Sequence, residues 1–311
     1  MLIGLLAGLM TGALWGLTFI APRAILPFSA FDLSVLRYLI FGLVSVALMV
    51  IPRFRPTGLS PRMLGTGLLL GAFGTFGYFL SISYAVLLAG PVLPPLIAGT
   101  APVLLAIVAN FHERSLPWRR LAWPLALIVA GLGVVNVASL QEAHANEASA
   151  VLAGVGLSVV ALLFWVAYGL VNAMVMRGAD APDALRWTGI QGLGCGVLAL
   201  LLLPLLSGAP ALVDFNSAAT QRFFIWVVAL GVVVSWLGTF GWVVASERLP
   251  MALSAQLIVA ETVFGLVYGL AFERRLPTAP EAVGTALQLV GVVVAVAIFS
   301  RRRIMPEPGT P

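Results

Sequence analysis

GTFGY at residues 74–78 returns as GTFGW at residues 238–242, 164 positions later. With 32 glycines in 311 residues, one match of this size carries little by itself. Its surroundings carry more. LRY at 36–38 is answered by LRW at 185–187, Trp15 by Trp165, and ERSLP at 113–117 by ERRLP at 273–277. These offsets of 149, 150 and 160 keep the same order along the chain and drift only as loop insertions would make them. The chain reads as an internal duplication, with a first repeat over 1–145, a second over 146–302 and a tail at 303–311.

Composition states what is duplicated. The sequence is 61% hydrophobic and 9% charged, with a mean hydropathy of +1.07. A soluble domain carries about 25% charged residues, so this chain cannot coat a water-facing globule of its size. The fold class expected is all-α and polytopic in a lipid bilayer. Membrane helices also tolerate glycine and proline better than soluble ones do. The net charge of +5 comes from 17 basic residues, all arginine. They punctuate the ends of apolar runs and do not form a basic module, so no nucleic-acid partner is expected. The single cysteine, Cys195, excludes an internal disulfide.

About 20 apolar residues span a hydrocarbon layer of about 30 Å. Ten such runs are expected, at 2–21, 33–51, 63–88, 91–111, 121–140, 151–176, 187–207, 223–245, 249–272 and 282–300. Placing the N-terminus in the cytoplasm puts 12 arginines on inner connections and in the tail, against Arg23, Arg37, Arg222, Arg274 and Arg275 outside. Basic residues favour the cytoplasmic side, so both termini are expected there. Each half then has an odd number of crossings, and the second enters from the opposite face. Many secondary transporters use such inverted repeats around a central site.

Glu261 is the sharpest functional candidate. It lies nearly halfway along LPMALSAQLIVAETVFGLVYGLAF, where a charge costs several kcal/mol unless paired, neutralised or facing a wet cavity. It can bind an exchangeable proton, contact a substrate ammonium, or serve as a plain hydrogen-bond donor between helices. Ser235, Thr239, Trp242 and Ser246 follow at spacings that share one helix face. Thr75 and Tyr78 echo them in the third span, with Tyr84 further along. Trp15 and Phe19 in the first span, and Trp165, Tyr168 and Asn172 in the sixth, complete an aromatic set suited to an apolar or amphipathic ligand. Lipid-facing or core packing is the alternative for each ring. Gly4, Gly8, Gly12 and Gly16 form a ladder for close helix contact, and Gly265 and Gly269 read the same way. Pro91, Pro94, Pro95 and Pro102 should break or bend the fourth span. Arg37 and Arg186, matched across the halves, read as snorkelling anchors, with a gate pair as the alternative.

Signals of catalysis are poor. His112 and His144 begin no HExxH arrangement, a P-loop is impossible without lysine, and the acids are too scattered for a metal site. No enzyme activity, cofactor or metal is expected.

The LWG at 14–16, the LRY and LRW pair, APVLLAIVANFHERSLP at 101–117 and AETVFGLVYGLAFERRLP at 260–277 carry a resemblance. Over residues 1–302 the chain resembles the drug/metabolite transporter superfamily, in its ten-helix form of two EamA-like repeats. Family members commonly carry an Ala/Leu-Glu-Pro-Val stretch in the ninth span, which ends in a Gly-Glu or Phe-Glu pair. Glu261, Val263 and Glu273 match it, but Thr262 stands in place of the proline. In the first half, Pro102 and Glu113 match and the proline is kept. The resemblance implies an inner-membrane carrier with cytoplasmic termini, exporting amino acids, related metabolites or toxic compounds. The aromatic-rich spans are also similar to a branch that exports aromatic amino acids.

The function expected is therefore secondary transport of a small solute, bound near the midplane between the halves, with proton coupling through Glu261 as one mode. The reading from another class is a structural or receptor membrane protein whose bundle holds no solute. A solvated cavity between the halves favours the first and a dry midplane the second.

Overall fold

The computed structural model describes residues 2–101, 103–104, 107–108, 118–142, 148–176, 178, 180–207, 214–248 and 251–302. The expected matches at Pro102 and ERSLP, and the loop around His144, lie outside the described residues, as does the tail from 303.

The described chain is helical throughout. Helix α1 (Leu2–Gly16) continues through a 3₁₀ turn at Leu17–Phe19, and α2 (Ala21–Ala24) leads to α3 (Ala30–Leu48). Helix α4 (Pro61–Leu69), a π-helical segment (Leu70–Thr75) and α5 (Phe76–Ala89) form one rod. A short α6 (Leu93–Ala98) precedes α7 (Trp118–Glu142), α8 (Ala148–Met176) and α9 (Ala184–Leu202). Helix α10 (Ala218–Val228), a second π segment (Ala229–Leu237) and α11 (Gly238–Arg248) make another rod. Helices α12 (Met251–Phe272) and α13 (Ala279–Arg302) close the chain.

Among the described residues, six helical runs are long and apolar enough to cross a membrane: Leu2–Phe19, Ala30–Leu48, Pro61–Ala89, Ala148–Met176, Ala184–Leu205 and Ala218–Ala245. Shorter apolar helices occupy Ala122–Ala138, Val259–Phe272 and Ala279–Ala295. The distribution of side chains is that of a protein dissolved in lipid. Leu2, Leu6, Leu152, Leu163 and Leu201 are exposed, whereas Thr11, Asp32, Arg37, Gln191, Ser235, Glu261 and Gln288 are buried. Water would drive the opposite arrangement, but hydrocarbon makes internal polar partners necessary.

Local sequence starts and stops the helices. Ser29 accepts from the Asp32 amide at the head of α3, and Ser60 from the Met63 amide before Pro61. Thr278 and Glu281 satisfy each other's backbone amides across the start of α13, a capping box. Gly90 ends α5 at φ +80°, a left-handed conformation that favours glycine.

Both π segments run into a copy of the repeated motif, and their loosened ladders present carbonyls to neighbouring helices. Cys195 Sγ reaches Gly71 O and Tyr38 Oη donates to Thr75 O; Trp15 Nε1 donates to Val234 O and Thr11 Oγ1 to Gly238 O. π turns are frequent at functional sites. The packing runs in corresponding pairs: α5 lies on α8 and α1 on α11, the Leu70–Thr75 segment lies on α9 and the Ala229–Leu237 segment on α3. Gly74 and Gly77 face the rings of Tyr168 and Phe164, while Gly238 and Gly241 face Trp15 and Thr11. Helices α3 and α9 touch through Gly42 and Gly196, and α7 and α13 through Gly131 and Gly284.

At Gly12 and Gly16 the glycine ladder has the close-packing role expected. A Cβ on Gly12 would lie 2.9 Å from Ala260 Cβ, and one on Gly16 2.9 Å from Phe264 Cβ. Helix α12 is thereby drawn against α1 on both sides of Glu261. Thr262 faces Gly99 just past α6, where a Cβ would collide with its hydroxyl.

Candidate functional site

Helices α1, α3, α5, α8, α11 and α12, with the two π segments, surround a small cavity. Its wall joins Trp15, Thr75, Tyr78, Trp165, Tyr168, Ser235, Thr239 and Glu261, eight of the sequence-derived candidates, to Thr18, Arg37, Tyr38 and Phe79. About 40 Å³ lies within reach of a water-sized sphere, room for about three waters.

The aromatic wall is continuous. Trp15 meets Trp165 edge to face at 5.3 Å, Trp165 stacks on Tyr168 at 5.2 Å, and Tyr78 lies 5.3 Å from Trp165. Trp242 stands behind Trp15, with centroids 5.9 Å apart, and is outside the cavity lining. Tyr78 Oη donates to Glu261 Oε1 at 3.2 Å, so the carboxyl accepts an interhelical bond where the structural alternative had it donate one. The carboxyl also lines the cavity, so bond and cavity position coexist.

Three further candidates sit elsewhere. Phe19 is core, buried against Gly265. Asn172 accepts from Trp187 Nε1 at 2.7 Å and from Gln191 Nε2 at 3.4 Å, one shell behind Tyr168, whose hydroxyl donates to Gln191. Tyr84 is 37% exposed, because six residues of α-helix turn it about a third of a circle away from Tyr78. Ser246 lies outside the described side chains.

Arg37 departs from its expected role. It is 4% exposed, donates from Nε to Ser235 Oγ at 2.9 Å, and lies over the rings of Phe79 and Tyr38 at 4.0 and 5.0 Å. A snorkelling side chain would reach water, and this one turns inward. Arg186 is half-buried and donates to Thr57 O at the opposite end of the bundle from Arg23. Sequence reasoning missed Thr18, Tyr38 and Phe79 as cavity residues. The repeated LRY motif was the available signal, since both its arginine and its tyrosine line the wall.

One end of the bundle is tied by charges. Arg23 Nη1 pairs with Glu273 Oε1 at 2.9 Å, and Arg275 bridges Glu273 and Glu281 at 2.7 and 2.6 Å. Ser207 donates to Asp32, and Arg222 to Leu26 O, at the same end. The Glu281 bond raises the Arg275 guanidinium above its usual value, against the effect of burial. For Glu281 itself burial acts upward, but the bonds from Arg275 and Thr278 outweigh it and hold the carboxyl below its usual value. Among the described residues, no group of three or more His, Cys, Asp or Glu is placed to hold a metal ion.

No family model matches the chain. The inner membrane protein YtfF of Escherichia coli (strain K12) is 30% identical to it over 306 residues, 95% of either chain. The chain belongs to the YtfF family. That membership places it in the EamA-like drug/metabolite transporter superfamily, at the level of the superfamily and not of a substrate branch. A probable terminal-alkyne amino-acid exporter of Streptantibioticus cattleyicolor is 28% identical over 228 residues, covering 68% of this chain and 69% of that one. A crystal structure of a protein with 22% identity covers 97% of this chain and 99% of its own, with a TM-score of 0.60, a likeness of fold alone.

Proposed function

We propose that this protein is a secondary transporter of the bacterial inner membrane that exports small organic solutes, amino acids foremost and aromatic ones among them. On this reading ten helices form two inverted five-helix repeats, 1–145 and 146–302, with both termini in the cytoplasm. A solute sits between the halves, and the two sides gain access to it in turn. The observation that carries the proposal is the cavity: Glu261, Arg37 and a run of aromatic rings converge in the interior of an apolar bundle. Such groups are costly in hydrocarbon unless they serve a wet or ligand-bound interior.

Two further observations support it. The corresponding helix pairs, α5 on α8 and α1 on α11, follow the order of the duplicated motifs. The Streptantibioticus relative is described as an amino-acid exporter, which favours amino acids over other metabolites. Trp15, Thr75, Tyr78, Trp165, Tyr168, Thr239 and Glu261 are the proposed contacts, with Phe19, Asn172 and Trp242 supporting them from behind. Glu261 is the proposed proton-coupling group.

The small size of the cavity favours a second reading, a closed structural or receptor bundle. Transport requires the helices to part further around the solute, and the π segments, with their loosened ladders, suit that movement. Proteoliposomes loaded with an amino-acid panel separate the two. Saturable, competitively inhibited efflux of at least one amino acid is expected; fluxes equal to those of protein-free vesicles across the panel favour the closed bundle.

A further inference from the structure

Among the described residues, Arg37 is a cation without a counter-ion in the apolar interior. None of the ion pairs among the described residues involves it, and its Nη1 is buried with no hydrogen-bond partner. Its remaining contacts position it: Ser235 holds Nε, and the rings of Phe79 and Tyr38 lie against the guanidinium. A buried guanidinium with an idle donor is a standing cost, and no snorkelling path offsets it at 4% exposure. Glu261 shares the cavity wall but forms no ion pair with Arg37; its carboxylate is engaged by Tyr78. The cavity wall thus carries one pre-oriented guanidinium whose Nη1 has no partner and, on a different helix, one carboxyl group.

We propose that Arg37 is the anion subsite of this cavity and takes the carboxylate of the transported solute, leaving Glu261 for its ammonium. A guanidinium matches a carboxylate with two parallel hydrogen bonds, and charge-assisted bonds of this kind are the strong ones. The substrate class is then a molecule with a free carboxylate beside an apolar body. Its identity as an amino acid rests on the transport reading above. An esterified or amidated analogue keeps one carbonyl acceptor but loses the charge and the second equivalent oxygen, so it forfeits the charge-assisted pair and binds more weakly for that reason.

The test uses the full-length protein in lipid nanodiscs and three probes: L-phenylalanine, 3-phenylpropionate, which lacks the ammonium, and L-phenylalaninamide, which lacks the carboxylate. Wild type should bind the first two at least about tenfold more tightly than the third. Arg37→Gln should erase that preference by weakening the two acids, with little change for the amide; Arg37→Lys should restore part of it. Equal binding of acid and amide by wild type overturns the subsite whether or not the variants fold, and so does an equal loss for all three probes in Arg37→Gln. Failure of wild type to bind any of the three also overturns it. Arg37-dependent binding of 3-phenylpropionate without amino-acid flux in proteoliposomes would sink the amino-acid reading and leave the subsite standing. Amino-acid flux indifferent to Arg37→Gln would do the reverse.

Discussion

Trp15 and Trp165 stand edge to face, their ring centroids 5.3 Å apart and their planes at 89°. They hold matching places in the order of duplicated motifs, and each lies on the wall of the same cavity. Trp15 is further fixed by its bond to Val234 O, and Trp165 by stacking on Tyr168.

Trp165 meets three rings of the wall, those of Trp15, Tyr78 and Tyr168, so its removal should be felt in binding. Trp165→Ala should weaken L-phenylalanine binding about tenfold, in line with ring contacts of about 0.5–1.5 kcal/mol each. Trp165→Phe should keep much of the affinity. Binding isotherms in nanodiscs measure both, and an unchanged isotherm for the alanine variant would remove the ring from the site.

Glu261→Gln retains size and hydrogen-bonding capacity but cannot titrate. If Glu261 couples transport to protons, accumulation driven by a pH gradient should disappear in this variant while the protein remains folded. Tyr78→Phe removes only the hydroxyl that reaches Glu261 Oε1 and should alter the pH dependence of flux without abolishing it. Equal gradient-driven accumulation in wild type and Glu261→Gln would reject coupling through this residue.

Packing of α1 on α12 makes Gly12 intolerant of a side chain, with Ala260 Cβ at 2.9 Å and the Glu261 amide at 3.0 Å from where its Cβ would be. Gly12→Val should cost on the order of 1–3 kcal/mol, the usual range for overpacking, and reduce flux by displacing Glu261. Gly133→Ala meets nothing within 4 Å and should be neutral. Melting temperatures in detergent distinguish them; a stable, active Gly12→Val would show that the two helices are not tightly apposed.

The Arg275–Glu281 pair sets a pH dependence outside the spans. Because the folded state holds Glu281 below its usual value, its contribution is complete above the unfolded carboxylate value of about 4.3 and is lost as pH falls through the lower folded value. Arg275 is partly exposed, so the gain is small, about 1 kcal/mol at most. Glu281→Gln should lower the melting temperature near neutral pH by about 1–3 °C, with the difference from wild type vanishing in acid. A difference that persists undiminished below the folded value would assign the effect to the capping box instead.

Much of this protein is set by local composition. Long apolar runs with few charges dictate helices in lipid, because hydrocarbon leaves the backbone no partners but its own. Glycine spacing along α1 marked the tight face, and a carboxyl at mid-span marked the interior at Glu261. The order of duplicated motifs brought Trp15, Tyr78 and Trp165 forward as a set, and they do share one cavity wall. Helical periodicity accounts for Tyr84 but not for directions set by distant partners. Tyr84 turns outward, and Trp242 stands behind Trp15. Arg37, near the head of its apolar run, reads from sequence as a snorkelling anchor. What turned it inward is Ser235, 198 residues away, together with the rings of Phe79 and Tyr38. A sequence sets how long and how apolar a helix is. Which face it shows the interior is decided by steric fit and polar satisfaction against helices remote in the chain, and only the tertiary structure contains those.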